Sequence, residues 1–271
     1  MFDGSIENLP VLVAFVLACL LAAPVSAAAL FRPGRSVLAP SKGADLAGAG
    51  VLVLLWVGLI PLNAWAHLSG QPFEWVFGSE TFDGGFVETL TFVGLMFVAW
   101  LSVRLALRRE APLAVRVLAV LFAVGLVFVA LEEVSYGQHW FHWRATGAFA
   151  EANLQHETNL HNFVDPRLYD WLYEIIGGAA LVAALLVRVG LMRGLLDRLG
   201  PLGETVSRSR YALALTMTAS ALLLHEVFEE LSEFAAVSAL VYVAIVSFEL
   251  WRTRLAPADD ASSPGYAPHR A

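Results

Sequence analysis

The chain has 271 residues, of which 58% are hydrophobic and 15% charged, and it carries a net charge of −7. That balance excludes an ordinary soluble domain and makes lipid the expected solvent. Membrane topology accounts for the 17 basic residues, which excludes a nucleic-acid partner, and the single cysteine, Cys19, excludes an intrachain disulfide and a cysteine-based metal site.

A helix needs about 20 mostly apolar residues to cross a hydrocarbon core, and seven runs approach that length. The first, 10–30, follows Asp3 and Glu7 and precedes Arg32 and Arg35. That is the reverse of a signal peptide's charge order, so the run is expected to stay as a span despite the small residues Val25, Ser26 and Ala27. The second covers 46–68. The loop 69–85, aromatic before Gly84-Gly85, reads as an interfacial turn or short amphipathic piece. Spans 86–107 and 113–131 follow, then a long polar loop, 138–170, in which Asp165-Pro166 reads as the cap and first turn of the fifth span, 171–192. The sixth run, 211–224, is only 14 residues, or about 21 Å of helix, so His225 and the first glutamates are expected to complete the crossing. The seventh run is 234–248, and no Gly or Pro marks the turn before it. The expected fold is therefore all-α, a polytopic membrane domain of seven transmembrane helices over 1–256, followed by a disordered cytoplasmic tail, 257–271, rich in Pro, Ser, Ala and Asp.

Alternating the loops of seven spans places 15 of the 17 basic residues on one side and leaves only Arg144 and Arg167 on the other. The positive-inside rule makes the rich side cytoplasmic, with the N-terminus outside, the C-terminus inside and the bacterial inner membrane as location. Of the acidic residues, 17 of 24 fall on the outer side, with six of the seven histidines.

Three polar segments share that outer side: Glu132 to His142, Asn153 to Asn162, and His225 to Glu233. Ionisable groups at membrane depth are functional by default. On an unbroken helix His225 and Glu229 share a face, as do Glu226 with Glu230 and Glu132 with Tyr136. Converging imidazoles and carboxylates suit a divalent metal, zinc first. The expectation is that Glu132 and Glu133 act on a water bound by His156, His161, His225 and Glu229, with Gln138, Asn153, Glu157, Asn159, Asn162, Glu226 and Glu230 around them. Plainer readings stand beside it. Glu132-Glu133 can mark the wet end of a helix, the Asn-rich segment can cap helices and satisfy carbonyls, and His225 with Glu229 can be a structural pair. His67, His139 and His142 read as interfacial.

The blocks Glu132 to Gln138 and Asn153 to Asn162, within a stretch of about 31 residues, resemble those of a group of bacterial multipass membrane proteins, which implies that the two blocks form one unit and implies no particular reaction. The paired glutamates are also similar to the first motif of CAAX-protease-like membrane proteases. The arginine of that motif is absent here, and His225-x-x-x-Glu229 stands in place of the family's later His-x-x-x-Asn/Asp. Alkaline ceramidase-like hydrolases are similar in span number and in using a His-based zinc site, with a different order of ligands.

The function expected from these residues is a metal-dependent membrane hydrolase acting on a lipid or lipid-linked substrate. The alternatives are a proton- or cation-coupled transporter using the same acids, and a non-enzymatic protein whose outer loop binds a partner. A retinal Schiff base is excluded, because the only lysine is Lys42.

Overall fold

A computed structural model describes residues 9–31, 42–71, 73–77, 85–154, 156–164 and 166–255. The expected tail, 257–271, and Asp165 lie outside these residues. All regular structure among them is helical. Among the described residues six helices are long and apolar enough to cross a membrane: Pro10–Phe31, Gly43–Ser69, Phe86–Ala106, Leu113–Glu133, Trp171–Arg188 and Glu226–Thr253.

The chain runs as α1 (Leu9–Phe31), α2 (Lys42–Val53), a π-helical turn (Leu54–Leu59), α3 (Ile60–Ser69), the short α4 (Glu74–Phe77), α5 (Phe86–Ala106) and α6 (Leu113–Glu133). A polar loop with two short helices, α7 (Gln138–Phe141) and α8 (Ala148–Glu151), leads to α9 (Pro166–Arg188). Then come α10 (Arg193–Leu196), α11 (Pro201–Arg208), α12 (Arg210–Leu222) and α13 (Glu229–Leu255). The helix starts follow capping chemistry. Gly85 N–H donates to Glu88 Oε2 at 2.9 Å at the start of α5, Ala212 N–H donates to Ser209 Oγ at 3.2 Å before α12, and Pro166 opens α9 as its sequence position predicts.

The sixth expected span takes a different form. Its helix, α12, is 13 residues long, about 20 Å at 1.5 Å per residue, and it ends at Leu222, before His225. It packs against α13, α1, α9 and α2, and its residues from Tyr211 to Leu222 are mostly buried. Small side chains permit this close approach: a Cβ on Gly177 of α9 would lie 3.0 Å from the Ser220 carbonyl oxygen, and one on Gly48 of α2 would lie 3.2 Å from the Tyr211 Cβ and the Tyr242 ring. Burial along most of its length, rather than a long apolar run, sets α12 apart from the other crossing helices.

The longest helix, α13, joins the two parts of the core. One face packs with α1, α2 and α12 around Leu52, Leu215, Leu231 and Ala235. Another meets α5 and α6, where Val237, Leu240 and Val241 lie against Leu95, Val98, Ala123 and Leu126. Outward-facing Leu17, Leu20, Leu118, Leu121 and Val124 remain exposed, as lipid-facing positions would. The ends of the bundle differ in chemistry. Glu88, Glu132, Glu133 and Glu229 lie at one, the carboxylate end, and Arg104, Arg116, Arg188 and Arg210 lie at the other, the arginine end.

Candidate functional site

The first two polar blocks fold into one hydrogen-bonded unit at the carboxylate end. After α6 stops at Glu133, Ser135, Tyr136 and Gly137 turn in the left-handed region, with φ of 45°, 53° and 81°. Two of these are not glycine and adopt that conformation at a cost. The turn drives the Ser135 side chain into the protein, where its hydroxyl donates to Glu157 Oε2 at 2.8 Å and accepts from Asn159 Nδ2 at 2.8 Å. Asn159 Nδ2 also donates to Glu157 Oε2 at 3.0 Å. Asn153 Nδ2 donates to the Asn159 carbonyl oxygen at 2.9 Å, and its Oδ1 accepts from Glu157 N–H at 3.0 Å. Gln138 Oε1 accepts from both the N–H and the hydroxyl of Thr158, each at 2.7 Å. Glu132 Oε2 accepts from Leu160 N–H at 2.7 Å, and the adjacent Tyr136 phenol, bonded to Glu132, is pushed up to about 12 by burial first and by that carboxylate second. Ser135 and Asn159 are 0% exposed and Glu157 2%. Buried polar groups matched in this way fix a loop conformation. Asn153, Glu157, Asn159, Asn162, Gln138 and Glu132 are therefore brought together as a lock between the end of α6 and the loop.

Among the expected metal ligands whose side chains are described, His156, His225 and Glu229 are not gathered. His156 is exposed, with Nδ1 2.8 Å from the Ala150 carbonyl oxygen. His161 lies in a 3-10 turn, and its side chain is outside the described part. His225 sits in extended backbone, φ −148° and ψ 120°, where its Nδ1 accepts from Val227 N–H at 3.3 Å. Its ring meets Phe15 edge-on at 5.1 Å. Burial holds this imidazole below the ordinary histidine range, with Glu226 pulling it up and His67 pushing it further down. Because the helix is broken from Leu223 to Phe228, His225 and Glu229 do not share a helical face, and neither do Glu226 and Glu230. Glu226 is exposed. Among the described residues no three His, Cys, Asp or Glu side chains are arranged to hold a metal ion.

A second assembly lies deeper, between helices. The Tyr173 hydroxyl of α9 donates to Glu233 Oε1 of α13 at 3.2 Å, and Glu229 and Glu133 also act on it electrostatically. Glu230 of α13 is within electrostatic reach of Glu233, Glu88, Glu133 and Glu229. Five carboxylates from α5, α6 and α13, with a phenol from α9, thus share one region. The chain matches no family model, no curated protein and no solved structure. Its function is therefore read from this geometry alone.

Helix register gives the acidic region a floor. A Cβ on Gly94 would lie 2.5 Å from Val237 Cγ1, which marks where α5 meets α13. Both helices run from the carboxylate end to the arginine end, so one turn back brings Thr91 level with Glu233, and two turns back bring Glu88 level with Glu230. Thr91 is 2% exposed, lies on the same face of α5 as Glu88, and its hydroxyl makes no hydrogen bond among the described residues. Glu88, Tyr173 and Thr91 lie outside the three polar segments expected at the site, and Glu233 ends the third of them without an expected role. A signal existed for Glu88, an acid only two residues inside an apolar run, whereas nothing in the local sequence sets Tyr173 or Thr91 apart.

Further polar links continue inside the bundle toward the arginine end. Trp56, on the π-helical turn, donates from Nε1 to Thr218 Oγ1 at 3.2 Å, and Thr218 pairs with Ser26 at 3.2 Å. Beyond them the Ser209 hydroxyl donates to Tyr242 OH at 2.9 Å, and that hydroxyl donates to Asp45 Oδ1 at 2.7 Å.

Proposed function

We propose that the chain is a proton-handling membrane carrier of seven crossing segments, with the N-terminus outside, the C-terminus cytoplasmic, and the carboxylate end open to the outer face of a bacterial inner membrane. The 15-to-2 division of basic residues supports the orientation, and α12 is the seventh crossing, short because it runs inside a shell of other helices. The observation that carries the functional reading is the convergence of Glu88, Glu133, Glu229, Glu230 and Glu233 with Tyr173. Like charges this close in a low-dielectric setting need a compensating proton or cation. Because these carboxylates are not arranged around a single ion, exchange of protons among them fits better than a resident metal. Interruptions of the helices, the π-helical turn at Leu54–Leu59 and the break between α12 and α13, are the kind of feature on which carriers build their binding regions.

The metal-dependent hydrolase reading has weaker support, because Glu132 serves the loop lock and His156, His225 and Glu229 face different surroundings. The deciding experiment reconstitutes the full chain in liposomes with a pH-sensitive dye inside and acidifies the outside. The wild type is expected to admit protons, and Glu230→Gln and Glu133→Gln to slow entry on the order of a hundredfold, because an amide cannot take up and release a proton as a carboxylate does. Entry no faster than in protein-free liposomes, or unchanged in both variants, would sink the carrier. Near-stoichiometric zinc in purified protein, lost on His225→Ala, would return the site to metal-assisted hydrolysis.

A further inference from the structure

The connector between α9 and α12 has two faces. On its inner side Leu196, Pro201, Gly203 and Thr205 are buried. Thr205 accepts a hydrogen bond from Ser247 of α13 at 3.1 Å and donates to the Pro201 carbonyl oxygen at 2.8 Å. The backbone of Gly203 lies hard against the Leu196 carbonyl, with no room for a Cβ. The connector is therefore clamped to the bundle. Its outer side presents Leu191, Leu195 and Leu199, which are 75%, 54% and 49% exposed, beside the exposed guanidinium groups of Arg188, Arg193 and Arg198.

A leucine row left open to water on a rigid element is costly, at about 25 cal/mol for each Å² of apolar surface, so this face requires an apolar neighbour. Two observations name it. Val182 and Val189 on α9, themselves 56% and 68% exposed, bring the lipid-facing stripe of that helix up to Leu191 without a break. The three arginines then stand where acyl chains give way to headgroups, and guanidinium forks match phosphate oxygens in pairs. We infer that this connector is a headgroup-binding wedge, which lies in the interface with its leucines among acyl chains and its arginines on the phosphates of anionic phospholipids.

The test uses the full chain, purified in detergent and titrated with phosphatidylglycerol or phosphatidylcholine, with bound lipid counted by native mass spectrometry. The wild type is expected to retain the anionic lipid preferentially, and the double variant Arg193→Gln, Arg198→Gln to bind it about thirtyfold more weakly, since each arginine near an anionic surface contributes about fivefold. Arg252→Gln, on an exposed arginine of α13, is the control for general charge and is expected to bind as the wild type does. Equal retention of the two lipids, an unaffected double variant, or an equal loss in the control would each overturn the wedge. So would release of the lipid by inorganic phosphate alone, which would assign the arginines to a free anion. Monodisperse elution of every variant separates these outcomes from misfolding. Proton entry in liposomes does not depend on these arginines, so the wedge and the carrier can fail separately.

Discussion

His225 stands four positions before Glu229, and an unbroken helix would place the two side by side. The chain instead leaves the helix at Leu222, and His225 turns its ring toward Phe15 and Phe228 while its Nδ1 caps the following 3-10 turn. An imidazole held neutral among aromatic rings changes how the fold responds to acid. Its folded pKa lies below the ordinary value of 6.5, chiefly through burial. The unfolded chain therefore binds the proton first as pH falls, and the stability present above 6.5 is lost on going below it. Thermal unfolding of the wild type from pH 7.5 to about 5.5 should show a larger fall in Tm than that of His225→Asn, whose amide oxygen can still accept from Val227 N–H. Parallel pH slopes for the two proteins would remove His225 as the cause.

The lock between the end of α6 and the following loop belongs to the next scale, because no member of it is stable alone. Ser135 and Tyr136 hold a left-handed turn only while Glu157 and Asn159 receive the Ser135 side chain. Replacing Asn159 by Ala removes its bonds to Ser135 and Glu157 and leaves the buried Glu157 carboxylate poorly matched. A loss of about 3 kcal/mol is expected for disturbing buried polar groups of this kind, read as reduced resistance to denaturant in detergent. An unaltered unfolding midpoint would mean that the loop is held by something else. That the two blocks form one unit was implied by their resemblance, whereas the residues alone left the Asn-rich segment open between a site and a loop that satisfies backbone groups. A glutamate at a helix end such as Glu132 carries no mark of its partner in the sequence, and here that partner, Leu160 N–H, lies 28 positions away. The acidic region was only half legible for a related reason. Glu229, Glu230 and Glu133 stand next to other acids in the sequence, but Glu88 and Tyr173 join them only through the packing of α5 and α9 around α13.

Over the whole molecule, apolar runs specified six span-length helices, because a helix with lipid on one side must be apolar over most of its length. That rule weakens for α12, which is shielded by α1, α9, α13 and α2. A shielded helix can be short and rich in Ala, Ser and Thr, and α12 has only 13 residues, so its apolar run, although plain in the sequence, falls short of span length. Parity gives the consequence: seven crossings place the two termini on opposite sides, whereas six place them together. With a fluorescent reporter that matures only in the cytoplasm fused after Ala271, and an epitope tag before Met1, the seven-segment arrangement predicts bright cells whose tag is reached by antibody without permeabilising the inner membrane. Bright cells with a protected tag would put both ends inside. One of the seven segments would then not cross, and a carrier open to the outer face would no longer follow from the division of arginines.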